Sequence, residues 1–376
     1  MEKIGVLGGT FDPVHNEHLS MAEQVKRELS LDRLIVVPTF SPPHKSHSEC
    51  APPQDRLNML SIAFGGAAEI CDYEIREGGT SYTYKTLEYL KGVLPESELF
   101  FIVGGDMLSD FKTWKFPERI LAAAKLAAFG REGAYTDFAA EKRYFLQRFG
   151  REFIGLEYCG RQVSSTKIRL YKMFSLPYRE FVPAAVADYM EAHALYPPTP
   201  AVKLVKSVLK EKRFRHTAEV AACALDKAKA LGIDRDKAFD ACAYHDIAKY
   251  LSPESYPAAD LPNDLPEPVV HAFLGAYVLE NVYGVEDKDI LNAVRYHTTG
   301  RAGMSPLEKL VFTADMVEES RTFPGVNELR ALFENDFEAC FRACVKRTYE
   351  HLVREGKTPY RLTAEAYEYY KEEKTQ

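Results

Sequence analysis

The feature that most constrains the fold of this chain is a change of pattern near residue 195. Before it, short apolar runs typical of buried strands alternate with amphipathic segments, whereas after the proline-rich stretch LYPPTPA one amphipathic segment follows another. Strands that alternate with helices predict a parallel sheet covered by helices, and helices alone predict a helical domain. A chain of 376 residues is long enough for both. We therefore expect an α/β domain over 1–195, a linker over 196–202 and an all-α domain over 203–376.

Four apolar runs predict the strands of the first domain, and they read KIGVLGG, RLIVVP, ELFFIVGGD and KLAAFG. Between the first two, apolar residues recur at helical spacing from Leu19 to Leu29. Parallel sheets bind their ligands at the carboxyl ends of the strands. The residues expected at such ends are Gly8, Gly9, Gly104, Gly105 and Asp106.

Composition and charge exclude several classes of protein. The net charge of −7 argues against a protein that binds nucleic acid or a membrane surface. The seven cysteines form no CxxC pair, so neither a disulfide framework nor a thiolate zinc site is expected. The N-terminus MEKIGVLGG is not typical of a signal peptide, and no apolar run reaches the ~20 residues of a membrane span. We expect a cytoplasmic protein whose partners are small molecules, and leave self-association open.

The stretch GGTFDPVHNEHL, residues 8 to 19, carries the strongest chemical signal of the first domain. A glycine pair between strand and helix lets the backbone approach a ligand, and the helix that follows offers free N–H groups to an anion. His15 and His18 are three residues apart at the helix start, so they share a face. One histidine there is more often a capping or core residue. Two histidines beside glycines favour a nucleotide site, where each imidazole can donate to a phosphate oxygen.

This stretch resembles the HxGH signature of the nucleotidyltransferase superfamily. The blocks PTFSPPHK, REGGTSYTYKTLEYL, FFIVGGDMLSDFKTWK and VSSTKIR follow in order. Together they are similar to bacterial nicotinate-nucleotide adenylyltransferases over nearly all of residues 1–195. The resemblance implies a Rossmann-like nucleotidyltransferase fold. It also implies transfer of AMP from ATP, accompanied by Mg²⁺, to nicotinate mononucleotide, which yields deamido-NAD and pyrophosphate.

Other transferases of the superfamily act on a pantetheine phosphate or on nicotinamide mononucleotide. The blocks TSYT and TWK favour the pyridine substrate. A direct comparison of the two pyridine mononucleotides would decide between them.

The same resemblance implies roles for individual residues. His15 and His18 would hold the triphosphate of ATP, with His18 nearest the reacting phosphorus, and Lys45 and Arg169 would neutralise phosphate charge. These four are the expected catalytic residues of the first domain. The nucleotide would be bound by Gly8, Gly9, Thr10, Phe11, Gly104, Asp106, Ser164, Ser165 and Thr166, and the second substrate by His44, Tyr82, Thr83 and Trp114.

Glu17 departs from the pattern, because the family usually has glycine at this position. On a helix, residue 17 lies about 100° round from residue 18, so its side chain can point away from the phosphates. Negative charge in the first turn also suits the helix dipole. We therefore expect Glu17 to be tolerated and directed to solvent.

After residue 200, four histidines and two aspartates fall on the apolar faces of predicted helices. His216, for example, precedes Val220 by four residues, and His297 follows Ala293 by four. So many inward polar groups would be costly without partners, and a shared metal centre removes that cost. Imidazoles and carboxylates without thiolates suit iron, manganese or zinc. The expected ligands are His216, His245, Asp246, His271, His297 and Asp315.

The ordered pattern H…HD…H…H…D resembles the HD superfamily of metal-dependent phosphohydrolases. The segments RFRHTAEV, YHDIAKYL, HAFLGAYVL and RYHTTGRAGMSPLEKLVFTADMVEESR are similar to its bacterial symmetrical dinucleoside-tetraphosphatase branch, over most of residues 200–370. The resemblance implies hydrolysis of diadenosine tetraphosphate to two ADP, with two divalent transition metals, iron foremost.

By the same resemblance, each expected rear residue has a role. Asp246 would bridge the metals and be catalytic. His216, His245 and Asp315 would complete one metal site, and His271 and His297 the other. Lys249, Thr298, Arg301 and Arg321 would face phosphates.

The two resemblances together predict a bifunctional enzyme. Two alternatives stay open for the rear domain. It could hydrolyse a different nucleotide, such as a mononucleotide or a guanosine alarmone, or it could sense a nucleotide and regulate the front domain. Metal analysis and hydrolysis rates would discriminate between an enzyme and a sensor. The six expected ligands favour an enzyme, because a sensor need not retain all of them.

Overall fold

The computed structural model describes residues 1–40, 50–131, 137–161 and 163–371. The chain divides into two compact units, of which the first comprises Met1–Arg169 and Pro177–Tyr196 and the second Leu170–Leu176 and Pro197–Gln376. Within the described ranges, no helix combines the length and the apolar character that crossing a membrane requires.

The first unit is built on one sheet of six parallel strands. The spatial order is β3-β2-β1-β4-β5-β6, and every pairing is parallel. The order reverses between β1 and β4, which is where open sheets of this kind bind ligands. The strands are β1 (Lys3–Gly9), β2 (Arg33–Pro38), β3 (Glu69–Ile70), β4 (Glu98–Gly104), β5 (Lys125–Arg131) and β6 (Ile154–Gly160). The predicted parallel α/β fold is confirmed, and the four predicted strands correspond to β1, β2, β4 and β5.

The register places the expected glycines at one edge of the sheet. Gly8 pairs with Val37 of β2, and Gly104 pairs with Phe129 of β5. Because β1 and β4 are direct neighbours, their carboxyl ends meet at the point where the strand order reverses.

Helices cover the sheet, and the apolar side chains of the strands form the core beneath them. Val6 and Phe101 of the central strands belong to a buried cluster with Leu87, Ile120 and Phe145 from three of these helices. The helices of the first unit are α1 (Asn16–Glu28), α2 (Pro53–Phe64), α3 (Tyr73–Glu77), α4 (Thr83–Val93), α5 (Asp106–Phe111), α6 (Pro117–Ala123), α7 (Phe138–Phe149), α8 (Ser165–Met173) and α9 (Ala184–Ala192), with the last residues of α8 counted in the second unit.

The second unit is helical, as predicted, and its described residues contain no strand. Its core is made by apolar faces such as Leu274 and Val278, which pack with Ala248. The helices are α10 (Pro200–Val208), α11 (Glu211–Ala228), α12 (Arg235–Tyr244), α13 (Glu267–Asn281), α14 (Lys288–Tyr296), α15 (Pro306–Val317), α16 (Val326–Asn335), α17 (Phe337–Arg354) and α18 (Arg361–Tyr370).

Two predicted helices end earlier than the apolar periodicity indicates. His245 and His297 are the C-cap residues of α12 and α14 and do not lie within them. In each case the ring Nδ1 lies 2.7 Å from the carbonyl oxygen three residues earlier, that of Cys242 or Val294. The imidazole N–H thus satisfies a carbonyl that the helix end leaves without a partner, and the ring is fixed at the same time.

The stretch expected to be a linker, 196–202, is ordered at both of its ends. Tyr196 is buried and donates its hydroxyl to Oδ1 of Asp12 at 2.7 Å, within the first unit. Four residues later α10 begins, with Thr199 as its N-cap and Pro200 as its first residue. The proline pattern therefore lies between two structured segments.

We predict that Gly5→Ala destabilises the sheet of the first unit. A Cβ at this position would lie 2.5 Å from Cδ1 of Leu31 and 2.9 Å from Cδ1 of Leu34. Overpacking of this kind costs about 1–3 kcal/mol, which thermal unfolding of the full chain would detect as a lower midpoint. The control is Gly92→Ala in α4, where nothing lies within 4 Å. An unchanged midpoint for Gly5→Ala would contradict the packing described here.

Candidate functional sites

The two histidines of the first unit stack at the start of α1. His15 is the N-cap residue, and its backbone N–H donates to Nδ1 of His18 at 3.2 Å. The ring centroids are 3.7 Å apart, with an angle of 23° between the planes. Because Nδ1 of His18 accepts a hydrogen bond, its Nε2 carries the proton of the neutral ring. His18 therefore presents a donor, which is what a phosphate oxygen requires.

The glycine bend that precedes these histidines is held by hydrogen bonds to its backbone carbonyls. The carbonyl of Gly9 accepts from the N–H of Thr39 at 2.9 Å, and the carbonyl of Thr10 accepts from the buried Arg56 guanidinium at 2.9 Å. Phe11 has a positive φ of 50° and packs edge-on against the ring of His18 at 4.9 Å. The segment from Gly8 to Phe11 thus leaves the sheet at the switch point and leads directly into α1.

A second helix N-terminus lies beside the first. Ser164 Oγ accepts from the N–H of Lys167 at 3.1 Å, as an N-cap side chain does, and Ser165 Oγ donates to the carbonyl of Pro13 at 3.0 Å. Thr166 is buried. The contact between Ser165 and Pro13 ties the start of α8 to the bend before α1, so both positive helix ends belong to one site.

Arg169 is buried beside the bend that precedes α1. Its side chain is 2% exposed, and it donates through Nη1 to the carbonyl of Asp12 at 2.6 Å. Nη1 also lies 3.5 Å from Oδ2 of Asp12, which is completely buried. Asp12 Oδ1 accepts from Tyr196 and, at 3.0 Å, from the N–H of Ala51. Arg169 is therefore a buried partner of Asp12 that fixes the bend, and its contact with a phosphate stays a prediction.

The expectation that Glu17 points to solvent is wrong. Its carboxylate oxygen Oε1 accepts from the hydroxyl of Tyr158 and, at 2.9 Å, from the backbone N–H of Arg161. Tyr158 belongs to the edge strand β6, and Arg161 follows it. Burial, with the hydrogen bond to Glu17, raises the pKa of Tyr158 to about 12, so the phenol stays protonated and keeps donating. Because one donor lies on β6 and the other directly after it, the carboxylate turns toward that strand and not toward solvent.

The expected pyridine-binding residues lie at the start of α4 and between α5 and α6. Tyr82 is the N-cap of α4, Thr83 follows it, and Nζ of Lys115 lies 4.5 Å from the centroid of the Tyr82 ring. Trp114 is half-buried and packs against Phe111 at 5.3 Å between ring centroids. Its ring is thus partly used by the core, and stacking on a substrate stays a prediction.

The other expected nucleotide-site residues of this edge follow β4. Gly104 is the buried last residue of the strand, and Asp106 is the exposed first residue of α5. The remaining expected residues, His44 and Lys45, lie in the segment 41–49, outside the described residues.

In the second unit the structure brings the expected metal ligands together. Two groups of ligand atoms, each within 4.8 Å of one another, share Asp246: one with His216 and His245, the other with His271 and His297. All five residues are buried. Two adjacent sets of imidazoles round one carboxylate are what two neighbouring metal ions would need.

The hydrogen bonds of two imidazoles show which ring nitrogen is available to a metal ion. Nδ1 of His245 and of His297 faces a backbone carbonyl at 2.7 Å, so in the neutral ring Nδ1 carries the proton and Nε2 offers a lone pair. Nε2 of His245 lies 3.2 Å from Oδ2 of Asp246, but in this tautomer both atoms are acceptors, so neither donates to the other. A buried lone pair without a donor fits a metal ligand, so these residues suit the group.

His216 lies between two carboxylates. Its Nε2 is 2.9 Å from Oδ1 of Asp315, and its Nδ1 is 3.1 Å from Oε1 of Glu318. Burial lowers the pKa of His216, but the hydrogen bonds with Asp315 and Glu318 outweigh burial and raise it. With Nδ1 protonated toward Glu318, Nε2 of His216 needs either a proton or a metal cation between it and Asp315.

Asp246 is 2% exposed and has cationic or imidazole partners on both oxygens. Oδ2 accepts from Nη1 of Arg213 at 2.6 Å, and Oδ1 lies 3.0 Å from Nε2 of His271. Burial raises the pKa of Asp246, but the neighbouring imidazoles of His245, His271 and His297 bring it well below its ordinary value. Asp246 is therefore ionised, as a bridging ligand must be.

His271 differs from the other imidazoles. Its Nδ1 lies 3.4 Å from Nζ of Lys249, which can only donate, so Nε2 carries the proton and faces Asp246. Burial lowers the pKa of His271 to about 4, so the ring is neutral. Metal binding through Nε2 requires the proton to move to Nδ1 and Lys249 to turn away. Lys249 thus lies beside the second ligand set.

Three further residues were expected to face phosphates. Arg301 pairs with the buried Glu308 at 2.8 Å, and Arg321 pairs with Asp315 and lies 3.3 Å from Glu318. Thr298 Oγ1 is buried and has no hydrogen-bond partner among the described residues. Arg301 is therefore held by Glu308, and Arg321 lies directly against the expected ligand Asp315.

Sequence reasoning missed two residues of this site. Arg213 precedes His216 by three residues on α11, and Glu318 follows Asp315 by three at the end of α15. This spacing puts each on the same side of its helix as the ligand. This spacing can be read from the sequence. Charged residues near a candidate ligand are common, however, so the spacing alone does not identify these two.

Comparisons with known proteins divide the chain in the same way. A family model described as cytidylyltransferase-like matches residues 6–170, and one described as HD domain matches residues 213–320. A protein of Clostridium tetani described as "Probable nicotinate-nucleotide adenylyltransferase" is 36% identical over 200 residues, which are 52% of this chain and 100% of that protein.

Two further similarities extend to the second unit. A protein of Mycoplasma genitalium described as "Probable nicotinate-nucleotide adenylyltransferase/Ap4A hydrolase" is 28% identical over 327 residues, which are 85% of this chain and 88% of that protein. A solved structure from Clostridium acetobutylicum, described as a "predicted HD superfamily hydrolase involved in NAD metabolism", is 31% identical, covers 45% of this chain and 94% of its own, and has a TM-score of 0.42.

We predict that Glu318→Gln weakens metal binding by the second unit. The amide keeps the shape of Glu318 but removes the charge that supports His216 through Nδ1, and loss of such support typically costs roughly 10–100-fold in metal affinity. Competition between the full chain and a chelator of known affinity, with iron, manganese and zinc in turn, measures the change. The control is Glu319→Gln at the exposed neighbouring position. Equal affinity in both variants would contradict the supporting role of Glu318.

Proposed function

The chain belongs to the nicotinate-nucleotide adenylyltransferase family and carries an HD domain after that family's domain, and on this premise we propose that it is a bifunctional enzyme. The first unit transfers AMP from ATP to nicotinate mononucleotide, which gives deamido-NAD and pyrophosphate. The second unit hydrolyses diadenosine tetraphosphate symmetrically to two ADP.

One observation carries the first activity. At the switch point of the sheet, stacked His15 and His18 lie at the start of α1, and the start of α8 is tied to the same bend by Ser165. Two helix N-termini and an imidazole N–H that converge on one place make a site for a chain of phosphates. The resemblance of the blocks around Tyr82 and Trp114 to the family supports the pyridine mononucleotide as the acceptor.

The transfer needs no covalent intermediate on the enzyme. An oxygen of the 5′-phosphate of nicotinate mononucleotide attacks the α-phosphorus of ATP, a new P–O bond forms, and the bond to pyrophosphate breaks. His18, with Nε2 protonated, stabilises the charge that grows on the phosphate oxygens, and the helix N-termini hold the leaving pyrophosphate. Mg²⁺ accompanies ATP and neutralises part of its charge. Arg169 and Asp12 act beneath the site by fixing the bend.

The second activity rests on the ligand set around Asp246. His216, His245 and Asp315 would hold one divalent ion with Asp246, and His271 and His297 would hold another, with iron the first metal to test. Divalent ions bound there would supply positive charge to the polyphosphate and acidify the attacking water. Arg321, against Asp315, and Lys249, against His271, are placed to meet phosphate oxygens at the rim.

The proposed hydrolysis consumes one water for each dinucleotide. Water attacks a phosphorus next to the central bridging oxygen, the P–O bond to that bridge breaks, and two ADP molecules leave. The similarity to a relative described as an Ap4A hydrolase supports this substrate. The symmetric position of cleavage is the part that a product analysis decides, because asymmetric cleavage would give ATP and AMP.

We predict that His18→Ala abolishes most of the transfer and leaves the hydrolysis unchanged. Loss of one preorganised donor to a phosphoryl transition state lowers the rate by roughly a hundredfold or more. The assay follows pyrophosphate release with ATP and either nicotinate or nicotinamide mononucleotide. We expect a clear preference for nicotinate mononucleotide. If wild-type protein prefers the nicotinamide compound, or if His18→Ala remains fully active, this part of the proposal is wrong.

We also predict that Asp246→Asn removes the hydrolysis and leaves the transfer unchanged. Loss of a shared ligand should exceed the roughly hundredfold effect seen for residues that only support a ligand. Diadenosine tetraphosphate, mononucleotides and guanosine tetraphosphate are offered in turn, before and after metal removal, and the products are separated by chromatography. Two ADP from the first substrate, restored by added metal, is the expected result. A metal-free Asp246→Asn protein that still hydrolyses at the wild-type rate would refute the assignment.

A further inference from the structure

The edge strand β6 contains an irregularity next to the proposed transferase site. Ala128 pairs with Gly155 and Gly130 pairs with Cys159, so a step of two residues along β5 corresponds to four along β6. The extra residues form a bulge in β6. Bulges at sheet edges beside active sites commonly redirect the end of a strand.

Helix α1 supplies hydrogen-bond acceptors to this bulge through its last residue. Glu28 accepts from the N–H of Glu157 at 2.6 Å through Oε1 and from the N–H of Tyr158 at 3.4 Å through Oε2. The C-terminal end of α1 is thus bound to the bulge.

The first turn of α1 contacts the strand at the other end of the bulge. Glu17 accepts from the hydroxyl of Tyr158 and from the N–H of Arg161, the residue that follows β6. Both bonds converge on the same carboxylate oxygen. Tyr158 therefore contacts both ends of α1, through its backbone to Glu28 and through its side chain to Glu17.

In the sequence, α8 begins four residues after Arg161. From there, Ser165 bonds to Pro13 and Arg169 to Asp12. Asp12, Pro13 and Glu17 thus receive three separate contacts from the chain between Arg161 and Arg169. All three fix the start of α8 relative to the start of α1.

We propose that Glu17 is a positioning residue of the transferase site, whose carboxylate fixes the segment after β6 so that the N-termini of α1 and α8 bind one triphosphate together. This inference rests on the proposed function of the first unit. It assigns a task to a residue that replaces the glycine expected from the HxGH resemblance.

Charge repulsion makes the opposite prediction. A carboxylate near a triphosphate would weaken ATP binding, and its removal would then tighten binding. The carboxylate of Glu17, however, turns to β6 and receives two hydrogen bonds there, so its main effect is on the position of the backbone. The two accounts differ in the sign of the change in ATP affinity.

The test compares full-length wild-type protein with Glu17→Ala, Glu17→Gln and Glu23→Gln. Glu23 is an exposed carboxylate on the same helix and serves as the matched control. Hydrogen bonds to a charged acceptor are strong enough that their loss in Glu17→Ala should raise the KM for ATP roughly tenfold. The amide of Glu17→Gln can still accept both bonds and should recover most of this loss. The KM for nicotinate mononucleotide should stay close to wild type.

Direct binding of an ATP analogue with a non-cleavable α–β bridge, measured by calorimetry, separates this inference from the proposed function. Wild-type protein that binds the analogue but transfers nothing contradicts the proposed function only, because the ratio of affinities among the variants still decides the role of Glu17. Unchanged or tighter binding by Glu17→Ala overturns the positioning role. Wild-type protein that does not bind the analogue overturns both.

Discussion

A carboxylate that is buried away from water must be surrounded by donors or cations, and each unit of this protein is organised round one such group. In the first unit Asp12 is fully buried and is bound by Arg169, Tyr196 and the backbone of Ala51. These partners come from distant parts of the sequence, so the bend before α1 cannot move without breaking several contacts. In the second unit Asp246 is the corresponding buried carboxylate, and its partners are imidazoles and Arg213.

Much of the fold follows from apolar periodicity, and the exceptions have physical reasons. The central strands are buried on both faces and read as continuous apolar runs, so β1 and β4 were predictable. β3 has only two residues, and β6 is a half-exposed edge strand with a bulge that interrupts its pattern. The helices of the second unit were predictable, but not their ends at His245 and His297, where a side chain replaces the next turn of backbone bonding.

The candidate sites were predictable where a residue type is unusual in its setting, and unpredictable where its partner lies far along the chain. Paired histidines beside glycines, or inward histidines in helices, are informative because a core rarely accepts them. A charged residue gives no such signal, since exposure is its usual state. The contact of Arg169 with Asp12, 157 residues away, is therefore not visible in the sequence. Glu17 likewise shows its direction only through Tyr158 and Arg161.

The two sites use the same side chain in opposite ways, and the second ring nitrogen decides which. In the first unit Nδ1 of His18 accepts from a backbone N–H, so Nε2 carries a proton and suits an anion. In the second unit Nδ1 of His245 and His297 faces a backbone carbonyl, so Nε2 presents a lone pair and suits a cation. The local backbone thus sets the polarity of each imidazole. A histidine in such a setting indicates a chemical role, but whether it binds a phosphate or a metal depends on which backbone group contacts its Nδ1.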